Sequence, residues 1–251
     1  MSVHVDWAGF GAVLFDLDGV ITPTAEIHER AWAELFAPWG FTSADYLAYV
    51  DGRPRYDGVR TFLAARGVEL PWGDPSDPPG DTTVCALGNR KNAMFNTVLR
   101  RDGIAAYPGS LAVLDLLDAA DVPAAVVSSS RNARDVLAAA RLTERLPVVV
   151  DGLTAADEGL AGKPHPEMFL YAAALLGVAP ARAIVVEDAV SGVAAGAAGG
   201  FAYVLGVDRA TPPASNAAAL AEAGATAVVS DLADTLDTRP RDPSASQGAP
   251  S

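Results

Sequence analysis

Ala12-Val13-Leu14-Phe15-Asp16-Leu17-Asp18-Gly19-Val20 passes from an unbroken apolar run into two carboxylates and a glycine. The run, Gly11 to Phe15, reads as a buried strand. Asp16 and Asp18 are spaced i, i+2, and Gly19 is free to take a positive φ. The chain thus leaves a sheet by delivering two acids at a strand's carboxyl end, where open α/β sheets bind ligands. Two such acids can divide labour. Asp16, beside a divalent cation, can attack phosphorus, and Asp18 can protonate a leaving oxygen and deprotonate an incoming one. The competing reading is a strand end followed by an Asp-Gly turn, and the rest of the chain has to decide.

Three further features bound the answer. A 251-residue chain that is 50% hydrophobic can bury the core of one or two domains. A formal charge of -13 argues against a nucleic-acid surface, which needs clustered Lys and Arg. The single cysteine, Cys85, excludes an intramolecular disulfide and suits a reducing compartment. With no signal-like stretch or long apolar span, a soluble, cytoplasmic monomer that binds no membrane is expected. Of 18 cationic residues only two, Lys91 and Lys163, are lysines. Against that bias, each stands where a compact ammonium serves better than a planar fork, or stands there by chance.

Taken in order, residues 1–10 read as a ragged lead-in. Pro23 marks a connection and Thr24 the N-cap of a helix. Residues 24–103 carry helical periodicity (Ile27, Ala31, Leu35, Phe36; Val59, Phe62, Leu63), broken by Asp51-Gly52-Arg53-Pro54-Arg55 and by a Pro/Gly/Asp loop over 71–81. A further helix is expected over about 89–101. No strand alternates with these helices, so they read as an insertion. From Tyr107 onward helices alternate with apolar strands at 124–127, 148–150, 183–186, 202–205 and 227–229, the mark of right-handed crossovers and a parallel sheet. The expected organisation is a core from 1–23 and 104–237, a helical cap from 24–103, and a Pro/Ser/Gly/Ala tail over 238–251 that reads as disordered.

Three strands end in polar punctuation: Asp16/Asp18, Ser128-Ser129-Ser130 and Glu187-Asp188. A parallel sheet brings these ends to one edge, together with Lys163 in Gly162-Lys163-Pro164. Four carboxylates there call for a cation, and Mg²⁺, held by carboxylates and phosphate oxygens, is the natural one. Ser128 and the N–H groups opening the following helix can donate to a phosphoryl group, and Lys163 can neutralise charge on it and on Asp16.

On these four motifs, in this order and strand context, the chain resembles the haloacid dehalogenase superfamily over residues 10–231, and within it the β-phosphoglucomutase-like subgroup. The resemblance implies a Rossmann-like α/β core with a small helical cap inserted after the first strand. It implies Asp16 as the phosphorylated nucleophile, Asp18 as general acid/base, and Mg²⁺ held by the Asp16 carboxylate, the Asp18 carbonyl and Asp188, with Glu187 close by. Toward a small sugar phosphate it implies His28 and Trp32 of the first cap helix, Arg55 after Gly52-Arg53-Pro54 as the grip on a distal phosphate, and Lys91 facing the sugar. On the core side it matches Ser128, Ser129, Ser130, Asn132 and Lys163. Taken singly, His28 reads equally as a helix-surface residue, Trp32 as cap core, Arg55 and Lys91 as solvated cations, and Ser129 and Ser130 as caps of the helix at Asn132. Pro23 departs from the pattern, which has an acid there, and stiffens the cap linker. The expected activity is interconversion of β-glucose 1-phosphate and glucose 6-phosphate through an aspartyl phosphate and a bisphosphate. The alternatives are a sugar-phosphate phosphatase and a catalytically silent binding module.

Overall fold

The computed structural model describes residues 3–50, 53, 55–210 and 215–236. Gly52 and the tail 238–251 therefore lie outside the described residues.

Every side chain of β1 (Ala12–Phe15) is buried, as a central parallel strand covered on both faces requires. Around it β2 (Ala124–Val127), β3 (Val148–Val150), β4 (Ala183–Glu187), β5 (Tyr203–Val207) and β6 (Ala227–Val229) form a six-stranded sheet in the order β3-β2-β1-β4-β5-β6. All its pairings are parallel. Alternate side chains feed opposite layers: Val13 and Phe15 join one apolar cluster, Ala12 and Leu14 the other. Phe15 is in register with Val126 of β2 and Val186 of β4, and the Asp16 N–H donates to the Val186 carbonyl at 2.9 Å. Asp16 therefore emerges level with Val127 and Glu187, at the point where the strand order reverses.

A helical segment separates β1 from the rest: α1 (Thr24–Phe36), the short α2 (Ser43–Asp45), α3 (Arg55–Ala65) and α4 (Val84–Asp102). The helices α5 (Pro108–Ala119), α6 (Ala133–Ala139), α7 (Gly152–Glu158), α8 (Glu167–Leu175), α9 (Val190–Ala198) and α10 (Ala217–Glu222) then alternate with the strands. Helix α1 is two-faced. Ile27 and Ala31 join Phe95 and Leu99 of α4 in the core cluster beneath the cap. Trp32, Leu35 and Phe36 face the cap's own cluster, where Phe36 stacks on Phe62 at 4.1 Å. Burying each such large apolar side chain contributes about 1.5–3 kcal/mol, and the shared helices seat the cap on the sheet.

Four details differ from the expectations. Residues 3–10 are tied down, because Trp7 is buried against Phe15 and its indole donates to Thr235 Oγ1 at 3.0 Å. Helix α4 begins at Val84, where Thr83 Oγ1 accepts from the Ala86 N–H at 2.9 Å; this capping threonine precedes a β-branched and glycine-bearing stretch that hides the helical pattern. Asp151 nucleates the unforeseen α7 by accepting from Leu153 and Thr154 N–H groups. Thr24 is not an N-cap: Pro23 occupies that position, and the Thr24 hydroxyl donates to Asp18. Among the described residues no helix is long and apolar enough to cross a membrane.

Candidate active site

The registered strand ends explain the first contacts. The Lys163 ammonium, its side chain only 5% exposed, donates to Asp16 Oδ1 at 2.5 Å, to Glu187 Oε1 at 2.5 Å and to the Val127 carbonyl at 2.9 Å. One cation thus binds the ends of β1, β2 and β4 and uses all three of its donors. Glu187 is completed by the Ala189 N–H, which donates to Oε2 at 2.8 Å. Asp18 receives the Thr24 hydroxyl on Oδ1 and the Ser128 hydroxyl on Oδ2, the latter at 3.4 Å. Asp188 accepts no hydrogen bond among the described residues.

Burial pushes the Asp16 pKa up to about 8, with Glu187 and Asp18 adding to the rise and Lys163 opposing it. Burial also raises Asp18, against the pull of Thr24, Lys163 and Ser128. Asp188 is driven well above the carboxylate range by burial, then by Glu187, Asp16 and Asp18. Burial alone lowers Lys163, but Asp16 and Glu187 outweigh it and hold the ammonium charged. The leading cause shared by these acids is burial, and at Asp16 and Asp188 an excess of neighbouring negative charge adds to it.

That excess suits a divalent cation. Asp188 and the second Asp16 oxygen carry no donor, and the Asp18 carbonyl accepts no backbone hydrogen bond among the described residues. Gly19, at φ 86°, makes the approach possible, because a Cβ there would overlap Asp188 Oδ2. Of the four carboxylates gathered at this edge, those of Asp18 and Glu187 are engaged by the protein itself. Among the described residues no three acids, histidines or cysteines cluster at metal-holding distance. Glu187 spends both oxygens on Lys163 and Ala189, and the Asp18 carboxylate is turned to Thr24 and Ser128.

The cap brings a second group over this edge. Lys91, 3% exposed, donates to His28 Nδ1 at 2.5 Å and lies 5.0 and 5.1 Å from the Trp32 and Phe95 ring centres. His28 stacks on Phe95 at 4.3 Å. Burial, then Lys91, then Arg55 push the His28 pKa far down, which keeps the ring neutral, and an ammonium, having no acceptor, requires the tautomer whose Nδ1 accepts. Burial and then Arg55 lower the Lys91 ammonium to about 7, with Asp18 pulling the other way. Trp32 stacks on Phe36 at 5.2 Å, so it is cap core with one face offered to Lys91.

A third group joins cap to core. Arg55 Nη2 donates to Asn92 Oδ1 at 2.8 Å, and Asn132 Nδ2 donates to the same oxygen at 2.7 Å. Burial lowers the Arg55 pKa, and the nearby Arg131 lowers it further. Gly88 gives this arginine room, since a Cβ there would lie 2.6 Å from the Tyr56 ring and 3.3 Å from Arg55 Cδ. The serines shape their own loop: the Ser130 N–H donates to Ser128 Oγ at 3.1 Å and the Asn132 N–H to Ser130 Oγ at 3.1 Å. Ser129 is exposed and contributes its carbonyl, packed where a Gly152 Cβ would fall.

Sequence reasoning missed Asn92, Arg131 and Arg209. The first two are the chain neighbours of expected site residues, Lys91 and Asn132. Arg209 carries no local signal. Its Nε donates to the Gly19 carbonyl at 2.7 Å and its Nη1 to Asp231 at 2.6 Å, while the guanidinium stacks on Tyr107 at 3.8 Å. It braces the turn that follows the two acids.

The chain is similar to known proteins. The family profile described as haloacid dehalogenase-like hydrolase matches residues 10–200. A β-phosphoglucomutase of Mycobacterium tuberculosis is 50% identical over 240 residues, covering 90% of this chain and 91% of that protein. Hexitol phosphatase A of Escherichia coli is 32% identical, covering 78% and 82% of the two chains. Among solved structures, a HAD family hydrolase from Deinococcus radiodurans with bound phosphate and sodium superposes with a TM-score of 0.67 at 33% identity, covering 90% and 93%. With its acids at the strand-order reversal and a helical insertion closing over them, the chain belongs to the haloacid dehalogenase-like hydrolase family, as a β-phosphoglucomutase-like enzyme.

Proposed function

We propose that the protein interconverts β-glucose 1-phosphate and glucose 6-phosphate by passing a phosphoryl group on and off Asp16. The observation that carries this reading is the pairing of two anion-receptive groups: Lys163 at the sheet edge, and Arg55 with Asn132 across the cap–core junction. A substrate that alternates the positions of two phosphates needs both. The activity named for the M. tuberculosis relative supports the same choice.

The residues divide the work as follows. Lys163 pins Asp16 through Oδ1 and so orients the carboxylate for attack on phosphorus. The sugar hydroxyl that takes the phosphoryl group gives its proton to Asp18. After the bisphosphate turns over, Asp16 attacks the second phosphorus and Asp18 returns the proton to the departing oxygen. The raised pKa of Asp18 suits the acid half of this cycle. Arg55 and Asn132 hold the phosphate that is not reacting. Lys91, kept in place by His28 and two rings, faces the sugar. Asp16, Asp188 and the Asp18 carbonyl would hold Mg²⁺, which supplies charge neutralisation at the phosphoryl oxygens. Closure by the cap keeps water from the aspartyl phosphate.

The test is product analysis with β-glucose 1-phosphate and Mg²⁺. Glucose 6-phosphate without matching free phosphate is expected. Stoichiometric inorganic phosphate would replace this reading with a phosphatase, and absence of turnover with any sugar phosphate would replace it with a binding module.

A further inference from the structure

The oxygen that joins cap to core stands where an anion would be bound. Asn92 Oδ1 accepts from a cap guanidinium, Arg55, at 2.8 Å and from a core amide, Asn132, at 2.7 Å. Asn132 is only 7% exposed, and Arg131 adds a second guanidinium within electrostatic reach of Arg55. Only the amide oxygen can satisfy two converging donors, so the orientation of the Asn92 side chain follows from its partners. Tyr56 also lies beside the Arg55 side chain, but Asn92 Oδ1 is where the cap and core donors converge.

We infer that Asn92 is a placeholder and latch: its Oδ1 holds the cap closed in the ligand-free enzyme by occupying an oxygen position of the distal phosphate, which must displace it. The inference rests on the distal-phosphate reading of Arg55 and Asn132. Its consequence is thermodynamic. The two hydrogen bonds stabilise only the free enzyme, since the phosphate takes both donors in the complex. Affinity is the difference between those states, so a weaker latch tightens sugar-phosphate binding and a stronger latch loosens it. A residue that bound the substrate itself would do the opposite when truncated.

The experiment compares Asn92→Ala and Asn92→Asp with the parent. The readout is the KM for β-glucose 1-phosphate divided by the KM for acetyl phosphate, which phosphorylates Asp16 without needing the distal site. This ratio cancels general damage to the fold or to Asp16. Asn92→Ala, having lost two neutral-acceptor bonds, is expected to lower the ratio about threefold or more. Asn92→Asp, whose carboxylate accepts both donors with charge assistance, is expected to raise it about tenfold. A ratio that rises in both variants makes Asn92 a substrate ligand, and one that moves in neither makes it structural; either overturns the inference. Spin labels on exposed cap and core positions keep the two readings separable. If the parent turns over no sugar phosphate, the functional reading fails. The latch still predicts a longer or broader cap–core distance in ligand-free Asn92→Ala than in the parent and Asn92→Asp, and an unchanged distribution refutes it.

Discussion

Replacing Lys91 by methionine should make the protein more stable while damaging the site. Lys91 is 3% exposed, and among the described residues it has no carboxylate ion-pair partner and hydrogen-bonds only to a neutral imidazole. Burial, with Arg55 adding to it, lowers its pKa from 10.5 to about 7. The sign follows from proton counts. Between pH 7 and 10.5 the unfolded chain holds this proton and the folded protein gives it up, so stability rises with pH across that window, by up to about 1.4 kcal/mol per unit. Below 7 both states are protonated and the penalty is constant. Taken over the whole shift the penalty is bounded at about 5 kcal/mol. The Trp32 and Phe95 faces, which favour the charged form, return about 1–2 kcal/mol of it. Methionine fills the same slot between the rings without charge. Lys91→Met is therefore expected to gain about 2–3 kcal/mol at pH 7, and the gain should shrink toward pH 9.5. Urea denaturation of both proteins at pH 7, 8 and 9 measures it, and the difference between them removes every other titrating group. Parallel curves, or a variant less stable at pH 7, would show that the buried ammonium is not held at a cost. Sugar-phosphate turnover should fall in the same variant, as expected where function requires a strained buried charge.

Two further changes probe the remaining contacts. Gly192→Ala should destabilise the protein by about 2 kcal/mol or more in chemical denaturation, because a Cβ there overlaps the Glu187 carboxylate, and breaking a buried ion pair costs about 3 kcal/mol or more against a helix-propensity gain of at most about 1 kcal/mol. Unchanged or increased stability would mean that Glu187 swings aside freely. Arg55→Ala should cut mutase turnover about a hundredfold while hydrolysis of a small monophosphate falls far less, since the lost charge-assisted grip concerns only the non-reacting phosphate; equal losses would undo the assignment.

Much of the fold lay open in the linear pattern. The apolar run before Asp16, and the five later apolar runs, correspond to strands whose ends lie within two residues of the expected positions. Burial on both faces leaves such a strand no polar alternation, and the following acid or serine marks where it leaves the core. The elements that escaped were capped from outside their own pattern. Thr83 starts α4 ahead of a Gly-bearing stretch, and Asp151 starts α7, a helix not expected from the sequence. Thr24 misled because a threonine before a helix ordinarily caps it, whereas here its hydroxyl is drawn to Asp18 across the linker.

What the sequence determined by itself was the inventory: two acids after a buried strand, two lysines kept against an arginine bias, and the motifs that carry the family resemblance. Residue type and spacing suffice there because strand periodicity and chain reversal are local properties. Which oxygen faces which donor was decided only by tertiary structure. That Glu187 spends its carboxylate on Lys163, that Asn92 joins Arg55 to Asn132, and that Arg209 reaches Gly19 from 190 residues away depend on the register of three strands and on how α1 and α4 seat the cap. These are long-range packing outcomes, set by the shape of the buried apolar layers rather than by any neighbour in the chain.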